Sequence, residues 1–430
     1  MRWIFRHFIL PVILLAAPWF LMIVAFADDL RAIPVGSDDC DEMEVWDVGM
    51  GMCMPLPMAG MPMQMLMIHG NSFGVYISEQ GPRGRSAVSV PNMFMFDLGT
   101  TVGERHYLNL DYMGTLELWT TPANGYPELL QIGEDQSNGQ PFLDAQHPHS
   151  SPVMGLTLSD TIKLNSGEKD HLKLFFAPRG ESTDGPVAFM HRPTGMVNPD
   201  APLGHHIGQD VGHISSTVFG ESLKFGDTRY EASIFHGAEP QPTQVDLPIG
   251  TPDSGAFRLI EEFGSDHMAM ASVAYVNAPE PTEPDILFEV RGSASVYDTF
   301  RLSDKWMIHN TFVYGGVTHY DHASLLNSFL DEFLLQGDRS NFWGRIEVLQ
   351  RTAAELEIPT VSDQNAGQWF SAFTLGYTYT VARFNDLQLG VGGSATVDWL
   401  PSTFATAYGG STPWTGKIFV QVGGMKMWDL

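Results

Sequence analysis

Polar and apolar residues alternate along most of the chain after residue 61, in runs of about ten residues. Near residue 290, for example, Val290, Ala294 and Val296 alternate with Glu289 and Arg291. A period of two places successive side chains on opposite faces of a β-strand. One face of these strands is lipid-like and the other is hydrated and charged.

The alternation predicts sixteen strands, and every second connection between them is short and polar, whereas those between are mostly long. Strictly alternating short turns and long loops are typical of outer-membrane barrels. We therefore predict an all-β fold, a transmembrane antiparallel β-barrel of about 16 strands over residues 61–430, with short periplasmic turns and long extracellular loops. The predicted strands lie near 61–79, 88–102, 104–119, 151–164, 170–178, 210–223, 228–238, 255–264, 267–278, 284–297, 304–316, 325–337, 341–352, 369–383, 386–399 and 415–427.

The N-terminus has the pattern of an export signal. Arg2 and Arg6 precede an apolar run that ends in Ala25-Phe26-Ala27, so we expect a signal peptide over residues 1–27. The alternative is an uncleaved membrane anchor, because the run is about long enough to span a bilayer. Residues 28–60 then form a methionine-rich periplasmic or lumenal segment, and the expected location is the outer membrane of a Gram-negative bacterium.

The formal net charge of -27 argues against nucleic acid as a partner and favours cations. The expected partners are outer-membrane lipid and a metal ion or small solute, and a homo-oligomer is possible because sixteen-stranded porins are often trimers. Charged residues on the hydrated faces of the strands are candidates for the lumen wall, where they either hydrate it or contribute to selectivity. These are Asp111, Glu117, Arg258, Glu289, Arg291, Arg345 and Glu347.

The stretch GMGMCMPLPMAGMPMQMLMIHG at 49–70 contains sulfur in unusual density. Thioethers are soft ligands that select Cu(I), although methionine also fills cores and faces lipid. The part before residue 60 is rich in glycine and proline, so we expect it to lack β-strand structure. Its methionines are therefore candidate metal ligands: Met50, Met52, Met54 and Met58. After it, the period-2 pattern predicts that Met63, Met65 and Met67 face lipid.

The two cysteines, Cys40 and Cys53, lie in the same N-terminal segment. In an oxidising compartment a disulfide between them is the default expectation. Such a bond would remove the thiolates but leave the thioethers of the neighbouring methionines.

Seven of the fifteen histidines fall between residues 147 and 213, and all of them except His171 are expected on the second and third long loops or at the extracellular ends of strands. An H-x-H pair such as that in DAQHPHSS places two imidazoles on one side of an extended segment, and Asp144 or Asp210 adds oxygen donors. The alternative is that these histidines hydrogen-bond loop backbones and hold an inward-folded plug. The candidate metal ligands are His147, His149, His191, His205, His206 and His213.

At these residues the sequence resembles a family of largely uncharacterised Gram-negative outer-membrane β-barrel proteins, often associated with copper and heavy-metal resistance systems. The segments that carry the resemblance are YPELLQIGE (126–134), DAQHPHS (144–150), AFMHRPTGMVNPDAPLGHHIGQDVGHIS (188–215) and FHGAEP (235–240). Ser150 and Ile207 depart from the acidic and aromatic residues of the family. The resemblance implies a porin-like barrel associated with metal tolerance and brings no catalytic residue.

Two functions remain open. The first is a porin-like barrel that binds or passes copper or another transition-metal ion. The second is a general or solute-specific porin without a metal role, whose histidine-rich loops are structural. We expect no enzymatic activity, because the residues of DAQHPHSS are too close together in an extended segment to converge as a triad.

Overall fold

The computed structural model describes residues 44–50, 52–55, 64–136, 138–149, 152–164, 170–243, 245, 249–280, 286–319, 325–384 and 387–430. The expected signal peptide, Cys40 and Met58 lie outside these ranges. The side chains of Met52, Cys53 and Met54 are also outside the described part, so the predicted disulfide stays a prediction.

The described strands are numbered in chain order. They are β1 (Glu44–Asp47), β2 (Met52–Pro55), β3 (Gln64–Glu79), β4 (Ser86–Ser89), β5 (Asn92–Val102), β6 (His106–Gly114), β7 (Tyr126–Asp135), β8 (Pro141–Gln146), β9 (Gly155–Lys163), β10 (His171–Gly180), β11 (Ser215–Phe225), β12 (Thr228–His236), β13 (Ser254–Glu262), β14 (His267–Asn277), β15 (Phe288–Ser303), β16 (Trp306–His319), β17 (Leu326–Gly337), β18 (Ser340–Arg351), β19 (Gln368–Phe384), β20 (Leu387–Trp399) and β21 (Trp414–Asp429). Short helical turns span Glu117–Thr120, Pro193–Met196, His205–Gln209, Val211–His213 and Ala405–Tyr408.

Sixteen of the described strands form a closed antiparallel barrel, which confirms the predicted fold class. β3, β5, β6 and β9 to β21 follow one another round the wall, and β21 closes the barrel against β3. Within the same sheet, β4 adds a short pairing along the C-terminal part of β3, while β1–β2 and β7–β8 form two separate two-stranded sheets. No helix in the described ranges is long and apolar enough to cross a membrane.

The two faces of the wall differ as the alternation requires. Large apolar side chains such as Leu98, Val273 and Ile418 are exposed on the outer surface, whereas their neighbours along each strand are buried. An outward apolar band is what lipid contact demands of a closed barrel, in which every backbone polar group pairs between strands. The structure is therefore that of a barrel embedded in an outer membrane.

The orientation predicted for the methionines of the first strand is wrong. Met65 and Met67 are buried together with Phe73 and Val75, while Tyr76 is exposed on the lipid side. The sequence pattern misleads here because folded-in loops fill the barrel, so that the inner face of β3 is also apolar. Met63 lies outside the described residues.

Two loops fill the interior of the barrel. The hairpin loop (residues 115–149) contains β7 and β8, and the inner loop (residues 181–214) contains three helical turns of three to five residues. Leu129 and Leu130 of the hairpin loop pack with Leu203 and Ile207 of the inner loop in one buried cluster, which also includes Leu349 of the wall. The predicted aqueous lumen is thus occupied by packed protein in this region.

The N-terminal hairpin also lies against the inner wall. Val48, between β1 and β2, packs on Ile260, Met268 and Tyr297 near the short-turn end of the barrel. The expectation that this segment is non-strand is wrong for its described part, because Met52 of β2 pairs with Asp47 of β1. Pairing between the backbones of β1 and β2 stabilises strand structure here, despite the glycine and proline residues that suggested an irregular chain.

Candidate metal site

Arginines on the wall hold the inner loop in place. Arg345 donates hydrogen bonds to the backbone oxygens of Ala201 (2.8 Å) and Asp200 (3.1 Å), and it also pairs with Glu332 at 2.9 Å. Glu332 in turn accepts from Arg192 of the inner loop at 3.2 Å. All three charged side chains are almost fully buried, so each depends on the others for compensation.

Two more of the predicted wall charges, Glu347 and Arg291, also contact the loops. Glu347 accepts a 2.6 Å hydrogen bond from the backbone of Leu203. Arg291 binds Glu289 of its own strand at 2.7 Å and Glu239 of the loop after β12 at 2.9 Å. The charges on the inner wall therefore contact folded loops instead of lining an open channel.

Three further wall predictions differ in outcome. Arg258 faces inward and pairs with Glu231 at 2.7 Å. Asp111 is on the inner face, opposite Asp97 of β5. Glu117 was predicted on a wall strand, which is wrong, because β6 ends at Gly114 and Glu117 begins a helical turn in the hairpin loop.

A glycine brings the histidine-bearing turn against the wall. Gly208 has φ +66°, and a Cβ atom at this position would lie 2.8 Å from the backbone nitrogen of Gly316 and 3.0 Å from the oxygen of Gly292. The backbone oxygen of Ile207 accepts a 2.8 Å hydrogen bond from Ser328. Glycine at position 208 thus permits both the left-handed backbone and the close approach to β15 and β16.

Five of the six predicted histidines meet where the two loops touch. The ring centroids of His206 lie 5.5 Å from His147 and 4.7 Å from His205, and His205 lies 5.2 Å from His213. Residues far apart in the sequence therefore form one buried cluster. Its members, called the histidine cluster below, are His147, His149, His205, His206 and His213.

Three imidazole nitrogens of this cluster are buried without a hydrogen-bond partner in the described structure: Nε2 of His147, Nδ1 of His205 and Nε2 of His206. These three residues can present ligand atoms that all lie within 4.8 Å of one another. The cluster lines a cavity of about 20 Å³, room for one ion or water molecule. Buried nitrogens are normally paired, so these three make the cavity a candidate site for a metal ion.

His149 and His213 are arranged differently, because their nitrogens are already bonded. Nε2 of His149 lies 3.1 Å from Nε2 of His213, and Nδ1 of His149 contacts Glu117 at 2.5 Å. Nδ1 of His213 contacts the backbone oxygen of Asp210 at 2.5 Å. The predicted sharing of one metal by the H-x-H pair is therefore not present, since His149 faces His213 while His147 faces His205 and His206.

Four carboxylates adjoin the histidine cluster. His206, Glu239 and Glu280 form a second set whose ligand atoms lie within 4.8 Å of one another. Glu134 of β7 lies 3.9 Å from Nε2 of His147. A third set joins His205 and His213 to Asp210.

Burial fixes the protonation of these groups. It lowers the pKa of His147 to about 4, with His149 adding to the effect, and it lowers the pKa of His206 well below its ordinary value. Burial also raises the pKa of Glu239 to about 7, against the opposing effect of Arg291. The imidazoles of His147 and His206 are therefore neutral near pH 7, and neutral imidazole is the form that ligates metals.

Some predicted ligands lie elsewhere. His191 is buried but lies outside the three ligand sets that include the cluster. Met50 is in the N-terminal hairpin, where its backbone nitrogen donates to Asp47. Asp144, which was considered as an extra ligand, accepts hydrogen bonds from Tyr408 and from the backbone of Leu130 instead.

The glutamates were missed by sequence reasoning, although a signal was present. Glu134 ends the segment YPELLQIGE, and Glu239 lies in FHGAEP, two of the segments that carry the family resemblance. Their importance depends on three loops meeting in space, which no spacing along the chain reveals.

The barrel resembles solved porins. OmpF of Salmonella typhi, in complex with daunomycin, matches with a TM-score of 0.50 and 9% identity, covering 89% of this chain and 100% of that chain. The fold is that of an outer-membrane porin. The anion-selective porin of Comamonas acidovorans (TM-score 0.48, 9% identity, 84% of this chain and 98% of that chain) and the channel DcaP of Acinetobacter baumannii (0.45, 11%, 84% and 96%) also match. No protein-family model and no curated protein matches the sequence.

Proposed function

We propose that this porin-like barrel binds a transition-metal ion between its two folded-in loops. The ligands are His147, His205 and His206, with Glu239 as an oxygen donor beside them. The observation that carries the proposal is the convergence of three buried imidazole nitrogens without hydrogen-bond partners on one ion-sized cavity. Water could occupy such a cavity, but the density of imidazole and carboxylate donors favours an ion.

The donor set favours a borderline divalent cation. Imidazole nitrogen with carboxylate oxygen suits Cu(II), Zn(II) or Ni(II), and Cu(II) binds most tightly to a given nitrogen and oxygen site. Copper is therefore the first metal to test. The neighbouring carboxylates Glu134, Glu239 and Glu280 would balance its charge.

Metal titration of the purified protein in detergent tests the proposal. The variant His147→Ala/His205→Ala/His206→Ala should lose one equivalent of tightly bound Cu(II). His106→Ala is the matched control, because His106 pairs with Asp160 near the surface at the short-turn end. Unchanged stoichiometry in the triple variant would remove the histidine cluster from the proposal.

The second candidate is a general or solute-specific porin without a metal role. The porin fold favours it, and the ion pairs between wall and loops would then simply order a constriction. Planar-bilayer conductance separates the two functions: an open pore indifferent to Cu(II) supports the general porin, and conductance that changes with Cu(II) only when the histidine cluster is intact supports the metal site. Assembly into a homo-oligomer stays a prediction.

A further inference from the structure

Methionines line one part of the inner wall, where β21, β3, β5 and β6 adjoin. The strand register places Met425, His69, Met95 and Met113 directly beside one another across these four strands. Directly opposed residues on neighbouring antiparallel strands point to the same face, with Cβ atoms about 4.5–5.5 Å apart. Burial of His69 and Met113 shows that this face is the interior.

The pattern repeats towards the short-turn end of the barrel. Two residues down each strand, Met427, Met67, Asp97 and Asp111 form the next row. Met65 follows at the N-terminal end of β3. Successive rows are about 6.6 Å apart along the strands. The methionine column is defined as Met65, Met67, Met95, Met113, Met425 and Met427.

At the loop end the column leads into a cavity of about 60 Å³. Its lining includes Met93, Met154, Met190, Met196 and the imidazole of His149. Three of these methionines also pack with Met113 of the column in one buried cluster. His149 belongs to the histidine cluster, so this cavity adjoins both that cluster and the methionines that pack with Met113.

Two polar atoms near the methionine column lack a hydrogen-bond partner among the described residues. Nδ1 of His191 and Oδ1 of Asp97 are buried and have no hydrogen-bond partner in the described structure. His191 lies near enough to His69 for the two rings to interact electrostatically. Methionine packing alone would not require unsatisfied donors and acceptors beside it.

We propose that the methionine column is a site for soft monovalent cations, Cu(I) or Ag(I), inside the barrel wall. Thioether sulfur selects such ions, and Asp97 supplies negative charge next to Met67. The inference goes beyond the divalent site proposed above and does not depend on it, because no sulfur atom lines the cavity of the histidine cluster in the described structure. The spacing of the rows would let an ion move from one set of sulfurs to the next towards the periplasmic rim.

Competitive titration with Ag(I) tests the column. The variant Met67→Leu/Met95→Leu/Met113→Leu keeps side-chain volume, so packing is preserved. The titration uses full-length protein in which Met50, Met52, Met54 and Met58 are already leucine, so that N-terminal sulfurs do not contribute. We expect the affinity for Ag(I) to fall at least about tenfold, while Cu(II) binding at the histidine cluster is retained. The same affinity in the triple variant would overturn the proposal.

Met268→Leu/Met270→Leu is the matched control, because both residues are buried on the inner face of β14 beside Val48 and outside the column. This control should bind Ag(I) like its parent. X-ray absorption at the silver edge of the parent protein provides a test independent of any variant of the column. Sulfur neighbours around the ion support the column, and coordination by nitrogen and oxygen alone contradicts it.

Discussion

Nε2 of His149 and Nε2 of His213 lie 3.1 Å apart and join the two loops that fill the barrel. Two bare nitrogens at this distance would repel, so one carries a proton and donates to the other. Nδ1 of His149 also contacts the carboxylate of Glu117, and Nδ1 of His213 contacts the backbone oxygen of Asp210. Burial opposes the ionisation of Glu117, but its contacts with His149 lower the pKa of Glu117 below its ordinary value.

Replacing His149 by alanine should therefore destabilise the packed loops. The change removes the imidazole contact of the Glu117 carboxylate, which keeps only its backbone donors, and leaves Nε2 of His213 without its partner, at a cost of about 1–3 kcal/mol. Chemical denaturation in detergent measures the effect. His106→Ala is the control and should cost less than about 1 kcal/mol, because the pair that His106 forms with Asp160 is partly exposed. Equal stability of the two variants would show that the His149–His213 contact contributes nothing.

Glu332 is the most consequential ion-pair residue of the inner wall. Its replacement by alanine leaves Arg192 and Arg345 buried without their shared carboxylate, which should cost about 3–5 kcal/mol. Loosening of the inner loop should also raise single-channel conductance in a planar bilayer. Glu104→Ala, in an exposed turn, should change neither property. A Glu332 variant as closed and as stable as the parent would refute the role of this network.

Alanine at position 208 should displace the histidine-bearing turn. A Cβ atom there meets the wall backbone and also disfavours the left-handed conformation, which alone costs about 1 kcal/mol. We expect Cu(II) affinity to fall together with stability. Gly226→Ala separates the two effects, since Gly226 has φ +58° but a Cβ atom there meets open space. If both variants bind Cu(II) equally well, contact between the turn and the wall is not needed for the site.

Glu239→Gln tests the oxygen donor next to the histidines. The substitution removes the ionisable carboxylate while keeping the shape of the side chain, so Cu(II) affinity should fall about tenfold. Competition with a chelator of known affinity gives the change. Glu262→Gln is the control, because Glu262 pairs with Lys224 at the short-turn end of β13. An unchanged Cu(II) affinity in Glu239→Gln would show that the carboxylate of Glu239 is not a ligand and that imidazoles alone bind the ion.

The sequence predicts the wall well because each strand separates two different environments. Where the environments are alike, prediction fails: Met65 and Met67 face a packed interior that is as apolar as lipid, so alternation could not tell the two sides apart. The β1–β2 hairpin was missed because its strands are short and its proline content suggests irregular chain.

The candidate site was predictable only in part. The loop histidines could be identified in the sequence by their number and residue type. Which of them are candidate ligands and which only contact the loops depends on which ring nitrogens lack a hydrogen-bond partner in the folded protein. His149 is occupied by Glu117 and His213, while His147 is not. Glu239 enters the site through its ion pair with Arg291 of β15, a contact between residues that the sequence places 52 positions apart.

Anomalous diffraction from crystals soaked in Cu(II) tests the central claim most directly. The account predicts one strong peak in the cavity between the hairpin loop and the inner loop, about 2.0–2.1 Å from the imidazole nitrogens of His147, His205 and His206. That peak should be absent in crystals of the triple alanine variant. Copper bound only at exposed side chains, with no peak in the cavity of the wild-type protein, would contradict the account.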